Sequence, residues 1–191
     1  MPALMRILSI AAAMVILSST QPQELFAQSQ RAISLGEGKF VLQAPEKWVR
    51  KEPRTRIVEH EFAVEGKKGQ DAGRVTVMAA GGSVEQNIDR WVGQFALPDG
   101  KKTKDKPKIE KKMIAGVPVH IVDIAGTYKD TPGGPFARGK TIDRANYRML
   151  GAIIEGGPSV GNYFIKFYGP QEIVKENEKA FQKMIESLEK K

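Results

Sequence analysis

Two imidazoles, a pair of neighbouring carboxylates and one basic loop are the side chains of this 191-residue sequence with types and spacing suited to chemistry. His60 and His120 are its only histidines, so general-base or metal chemistry through imidazole has to use one of them. They form no motif. His60 shares an alternating strand face with Val58, Phe62 and Val64, and His120 lies within an apolar run. Both are expected to be core or half-buried, with ring nitrogens held by local partners. Glu59 and Glu61 fall on the other face of the first strand, about 7 Å apart by strand geometry. Such a pair can flank a glycosidic bond or hold a cation, but on an open strand face it is ordinary solvated charge, and that is the expectation here. The chain has no Cys, which excludes disulfides, a thiolate nucleophile and a thiolate metal site. It has no H-E-x-x-H zinc motif either. No catalytic residue, metal or cofactor is assigned.

The stretch from Tyr128 to Asp143 reads as a long loop dense in Gly, Pro and basic residues. It carries Lys129, Arg138 and Lys140 beside the aromatic Phe136, with Arg144 and Arg148 just after. Long loops without structure of their own tend to carry function, and Arg grips carboxylates and phosphates through two parallel hydrogen bonds. These six residues form the candidate anion- or partner-binding site. The alternative is a solvated hairpin tip. Lys101–Lys108, where six of eight residues are charged, lacks Arg and aromatics and reads as the start of an exposed linker reaching Lys112.

The elements that must position these residues begin after an apparent address. Met1–Arg6 carries one positive charge, Ile7–Ser19 is apolar or uncharged, and Leu25-Phe26-Ala27 supplies a small residue for cleavage. Residues 1–27 therefore read as a secretory signal peptide, with an apolar run too short for the roughly 20 residues of a membrane-spanning helix. The expected location is periplasmic or extracellular. Residues 28–38 read as an N-terminal extension, and residues 39–191 as one domain. The formal charge is +8, to which residues 1–27 contribute nothing, because Arg6 and Glu24 cancel. A basic surface attracts anions, and outside the cell an envelope protein or an anionic surface component is the expected partner. Nucleic acid is not, since no zinc-finger spacing or aromatic-basic motif is present.

Hydrophobic period changes along the domain give its organisation. Lys39–Gln43, Ile57–Val64 and Arg74–Ala80 read as strands of an antiparallel meander, with Gly66-Lys67-Lys68-Gly69 as a turn. Ser83 with Gln86 forms a capping box, ahead of a helix whose apolar stripe is Val84, Ile88, Trp91, Val92 and Phe95. Gly81-Gly82-Ser83 there could also bind an anion, although capping explains the same residues. Val117–Thr127 is apolar on both faces, as a covered central strand is. Tyr147–Ile154 and Asn162–Tyr168 are two more strands joined by Glu155-Gly156-Gly157-Pro158, and a last helix follows Pro170. Trp48 and Trp91 are expected in the core. The fold class is α+β: a mainly antiparallel sheet packed by two amphipathic helices.

Several of these segments resemble a known family. They are the opening Phe40-x-x-x-Ala44-Pro45-x-x-Trp48, the mid-chain helix with Ile88 and Trp91, and the Gly116-Val117-Pro118-Val119 strand entry. The Tyr163–Tyr168 strand and the closing Phe181-x-x-Met184-Ile185-x-Ser187-Leu188 segment belong with them. The pattern is similar to the PsbP/DcrB-like exported domains, whose fold is shared by PsbP extrinsic photosystem subunits, DcrB-like bacterial proteins and a nuclear-import Ran-binding factor. The resemblance implies a PsbP-like sandwich and a non-catalytic accessory, binding or assembly role. The expected function is thus an exported binding or accessory domain acting through loops and a basic surface. The alternatives are a small exported hydrolase using Glu59 and Glu61 with a nearby His, or a structural protein that dimerises through a sheet face.

Overall fold

Alternating β-branched and aromatic residues bury one strand face at a time, and here nearly every such run pairs with another run antiparallel to it. A computed structural model of the chain describes residues 31–96, 107–131 and 140–191. Residues 31–191 form one compact unit. Its elements are β1 (Ala32–Leu35), β2 (Phe40–Gln43), β3 (Val49–Lys51), β4 (His60–Val64), β5 (Gly73–Ala80), α1 (Val84–Gly93) and β6 (Phe95–Ala96). They continue with β7 (Lys108–Ile114), β8 (Val117–Asp130), β9 (Ile142–Glu155), β10 (Asn162–Pro170), α2 (Gln171–Glu176), α3 (Glu178–Glu186) and β11 (Glu189–Lys190). Among the described residues, the large sheet has eight strands in the order β3-β4-β5-β10-β9-β8-β6, with β7 also on β8; a small sheet has the order β1-β2-β11. All pairs are antiparallel.

Alternation divides the large sheet into two apolar faces. Val75, Val77, Leu150, Ala152, Ile165 and Phe167 point to one side, where Ile33, Leu35, Phe40 and Leu42 of the small sheet and Phe181, Met184 and Ile185 of α3 complete the main core. Val122, Ile124, Met149, Ile153 and Phe164 point to the other side, under Val84, Ile88 and Trp91 of α1. The result is a three-layer α+β sandwich. Val119 belongs to the first core and Val122 and Ile124 to the second, so β8 is covered on both sides as its sequence predicts.

The capping box at Ser83 is formed: its Oγ accepts from the Gln86 N–H, and the Gln86 side chain accepts from the Ser83 N–H. Trp48 is 6% exposed and packs on Phe62 and Phe167, while Trp91 is 7% exposed against Phe164.

Four boundaries differ from the sequence expectation. The stretch 28–38 holds β1, whose Ile33 and Leu35 are fully buried, so the domain starts before residue 39. Two apolar residues were too short a run to announce a strand. The basic linker contains β7, with six of its seven residues exposed, so no buried face marks it. The loop from Tyr128 to Asp143 is narrower than expected, because β8 runs to Asp130 and β9 begins at Ile142. The last helix is two helices broken at Asn177. There the Asn177 side-chain amide donates to the Ile173 carbonyl at 3.0 Å, and its oxygen accepts from Trp48 Nε1 at 3.4 Å. That local side-chain bond competes with helix continuation. The expected signal peptide lies outside the described residues.

Candidate functional site

Of the six basic and aromatic residues singled out in the sequence, the four that the structure describes do not form one cluster. Phe136 and Arg138 lie outside the described residues. Lys129 and Lys140 are exposed at the open end of the β8–β9 hairpin. Arg144 and Arg148 are four apart on β9, a spacing that puts both on one face of a regular strand. The β8–β9 register shifts between Gly126 and Tyr128, where three steps on β9 (Tyr147 to Arg144) oppose two on β8. Within this bulge Asn146 takes the left-handed conformation, φ 57°, which Asn tolerates better than most residues. The extra residue brings Arg144 to the face of Tyr147 and Tyr128 and leaves Arg148 on the other.

Both guanidinium groups are engaged. Arg148 gives two parallel hydrogen bonds to Asp123 and a third to Glu178 of α3, all at 2.8 Å. It is 13% exposed and ties α3 to the sheet. Arg144 donates to Asp130 at 2.8 Å and to Asp71 at 3.2 Å, and remains 34% exposed.

The paired carboxylates also divide. Glu61 is buried, 3% exposed, rather than solvated. Arg74 grips both its oxygens at 2.8 Å, and the Arg54 N–H reaches it at 3.2 Å. Burial alone would raise the Glu61 pKa, but the hydrogen bonds and charges of Arg74 and Arg54 outweigh it and hold the carboxyl below the usual range. Glu59 accepts from the Ala79 N–H at 3.3 Å. The histidines find local partners as expected: His120 Nε2 pairs with Glu155 at 2.7 Å, and His60 lies between Arg50 and the Ser34 carbonyl. Among the described residues, no group of three or more acidic, His or Cys side chains is placed to hold a metal.

Two sequence matches to nucleophile motifs have other roles. Gly157-Pro158-Ser159-Val160-Gly161 fits G-x-S-x-G, but Ser159 is exposed in the β9–β10 turn, not at a strand-to-helix elbow. Ser187-Leu188-Glu189-Lys190 fits S-x-x-K, yet Ser187 Oγ donates to the Met184 carbonyl and accepts from the Gln43 N–H.

The cluster that sequence reasoning missed lies on the α1 side of the large sheet, beyond the helix. Lys166, in the interior strand β10, donates to Gln94 Oε1 at 2.5 Å and to the Tyr128 hydroxyl at 3.3 Å. Its ammonium lies over the Tyr128 ring at 4.8 Å and the Tyr168 ring at 4.6 Å. Tyr147 stacks on Tyr128, and the Tyr168 hydroxyl accepts from Arg74 at 2.8 Å. Glu61, Arg74, Tyr168, Lys166, Tyr128, Tyr147 and Arg144 thus form one chain of contacts across β4, β5, β10, β8 and β9. Burial, and then the nearby charge of Arg74, push the Lys166 pKa down to about 7 against the opposing pull of Asp130. Burial leads the causes that raise the Tyr128 hydroxyl. A cleft of about 320 Å³ opens beside Glu61 and Arg74, with Lys51, Glu52 and Arg54 on its walls. The available signal was the alternation in Asn162–Tyr168, which sets Lys166 between Phe164 and Tyr168 on one face. A lysine between two aromatics on an interior strand requires an aromatic or polar partner across the sheet.

No protein-family model matches the chain, and no curated protein is similar to it in sequence. Among solved structures, it is similar to the solution structure of cyanobacterial PsbP (CyanoP) from Synechocystis sp. PCC 6803. That match has a TM-score of 0.49 and 9% identity, covering 84% of this chain and 91% of that one. A crystal structure from Bacteroides thetaiotaomicron VPI-5482 matches at a TM-score of 0.42 and 14% identity, covering 83% of this chain and 47% of that one. Identities this low bring no activity, ligand or partner with them.

Proposed function

We propose that this chain is an exported, non-catalytic binding domain that recognises an acidic envelope protein through the tyrosine–arginine side of its large sheet. The observation that carries the reading is the chain of contacts through Arg74, Tyr168, Lys166, Tyr128, Tyr147 and Arg144, whose outer members are half-exposed. Tyr and Arg are the residue types over-represented where proteins grip one another, because each buries a large, stiff surface and keeps a polar end. The positive charge continues onto Lys129 and Lys140, and Phe136 and Arg138, between them in the sequence, are proposed as binding residues. A net charge of +8 favours steering of an acidic partner.

A hydrolase built on Glu59 and Glu61 has less support. A carboxyl held ionised by Arg74 lacks the proton a general acid must give at neutral pH. The imidazoles are occupied by Glu155, Arg50 and Ser34. Among the described residues, no helix is long and apolar enough to cross a membrane.

The test is capture from the native envelope fraction with the wild-type chain beside an Arg144→Ala/Tyr147→Ala double variant, at low and high salt. A saturable, salt-sensitive partner retained by the wild type and lost by the folded variant is expected. Equal retention by both would remove this face from the function. N-terminal sequencing of the exported protein should begin at Gln28, and an intact Met1 would remove export.

A further inference from the structure

Strand β7 ends the large sheet at one corner. It pairs with β8 through residues 108–114, and among the described residues no strand pairs with its other edge. That edge is unusual in composition. Ile109 and Met113 are 51% and 66% exposed, although they are large apolar side chains. Between and around them stand Lys108, Glu110, Lys111 and Lys112. A row of unpaired N–H and C=O groups beside exposed apolar side chains is a template for another strand.

We infer that this edge pairs with the same edge of a second copy, antiparallel and centred on Lys111. Strand geometry limits the possible registers. Residues facing each other across an antiparallel pair must both turn their backbone groups toward the partner or both turn them away. The two-fold axis of a self-pairing strand therefore passes through a residue position, not between two residues. Centred on Lys111, Ile109 opposes Met113 of the second copy and Glu110 opposes its Lys112, with each contact made twice by symmetry. All of β7 then takes part. Centred on Glu110, Ile109 would oppose Lys111; centred on Lys112, Met113 would. A parallel in-register pairing would oppose Lys to Lys at each basic position, which is destabilising.

Lys111 meets its own copy at the axis, and that is the one like-charge contact in the register. Its ammonium lies 3.4 Å from Glu155, whose carboxyl is held in the ionised form first by His120 and then by Lys111 itself. The neighbouring carboxylate offsets that repulsion. Glu110 and Lys112 already lie 3.4 Å apart along the same strand, and each exchanges this partner for its counterpart across the axis. Lysines on an edge usually keep other strands away. Here their order is complementary to itself.

The decisive experiment is sedimentation velocity on the purified chain across a concentration series, for the wild type, Glu110→Lys, Lys112→Glu and the double exchange Glu110→Lys/Lys112→Glu. Each single change sets like charges against each other twice, and the double change restores the opposite pairing. The wild type should show a concentration-dependent dimer. The single variants should weaken it about tenfold or more, and the double variant should recover it. Both positions are exposed, so circular dichroism should report an unchanged fold. A wild type that stays monomeric at every concentration overturns the proposal. A dimer indifferent to the single changes also overturns it, since that dimer would use another surface.

Discussion

Lys166 occupies an interior strand because alternation leaves it nowhere else to go: its neighbours Ile165 and Phe167 fill the main core, so its own side chain turns to the tyrosine side. Its pKa falls from the ordinary lysine value of 10.5 to about 7. Above pH 7 the unfolded chain therefore holds a proton that the folded chain lacks, and stability from this group rises with pH until about the unfolded value. Below pH 7 the cost is fully present. Lys166→Met removes the titration. The variant's stability relative to wild type should be greatest near pH 6.5 and decline toward pH 10, by at most a few kcal/mol at about 1.4 per pKa unit. Urea unfolding at both pH values measures this, and a difference independent of pH would refute it. The sequence showed the strand and its alternation. It did not show which tyrosines lie opposite, because Tyr128 comes from another strand and Arg144 joins them only through the bulge at Asn146.

Helix α1 shows how an element is placed by a residue with no side chain. A Cβ added to Gly151 of β9 would lie 2.3 Å from Trp91 Cζ3, so the indole sits directly on that backbone. Gly151→Ala should displace the helix at a cost of about 1–3 kcal/mol, the usual range for overpacking. Near-UV circular dichroism and denaturant unfolding would register it, and an unchanged spectrum with unchanged stability would show that α1 has another seat. The helix itself was legible from Ser83, Gln86 and the apolar stripe, since caps and period are local signals. Its docking position was not, because a glycine in a strand does not say what approaches it. β7 escaped for the opposite reason: its partner is one strand away, but solvated side chains leave no hydrophobic pattern. At the break, the Asn177 amide bonds locally to Ile173, but its oxygen is held by Trp48, 129 residues earlier, and no local pattern carries that second bond.

At the scale of the molecule, the fold class was legible because alternation, turns and two amphipathic stretches all agree, and the burial of both tryptophans follows from them. What the sequence left open is the division of the interior into two cores, one on each side of the large sheet. The three-layer order depends on β1 and β11, two short strands that flank β2 and close the small sheet. Each core also holds one tryptophan, Trp48 in the larger and Trp91 in the smaller. Nature has thus given each side of the sheet its own intrinsic fluorophore. With Trp91→Phe only the larger side emits, and with Trp48→Phe only the smaller. Strands β5, β8, β9 and β10 contribute side chains to both, so neither side can loosen without disturbing the backbone that the other stands on. The two single-tryptophan proteins should each lose their own fluorescence signal in step with far-UV circular dichroism. If emission from Trp91 shifted well before the sheet signal fell, α1 would be a separately melting flap, and the tyrosine side would lie open in a folded protein.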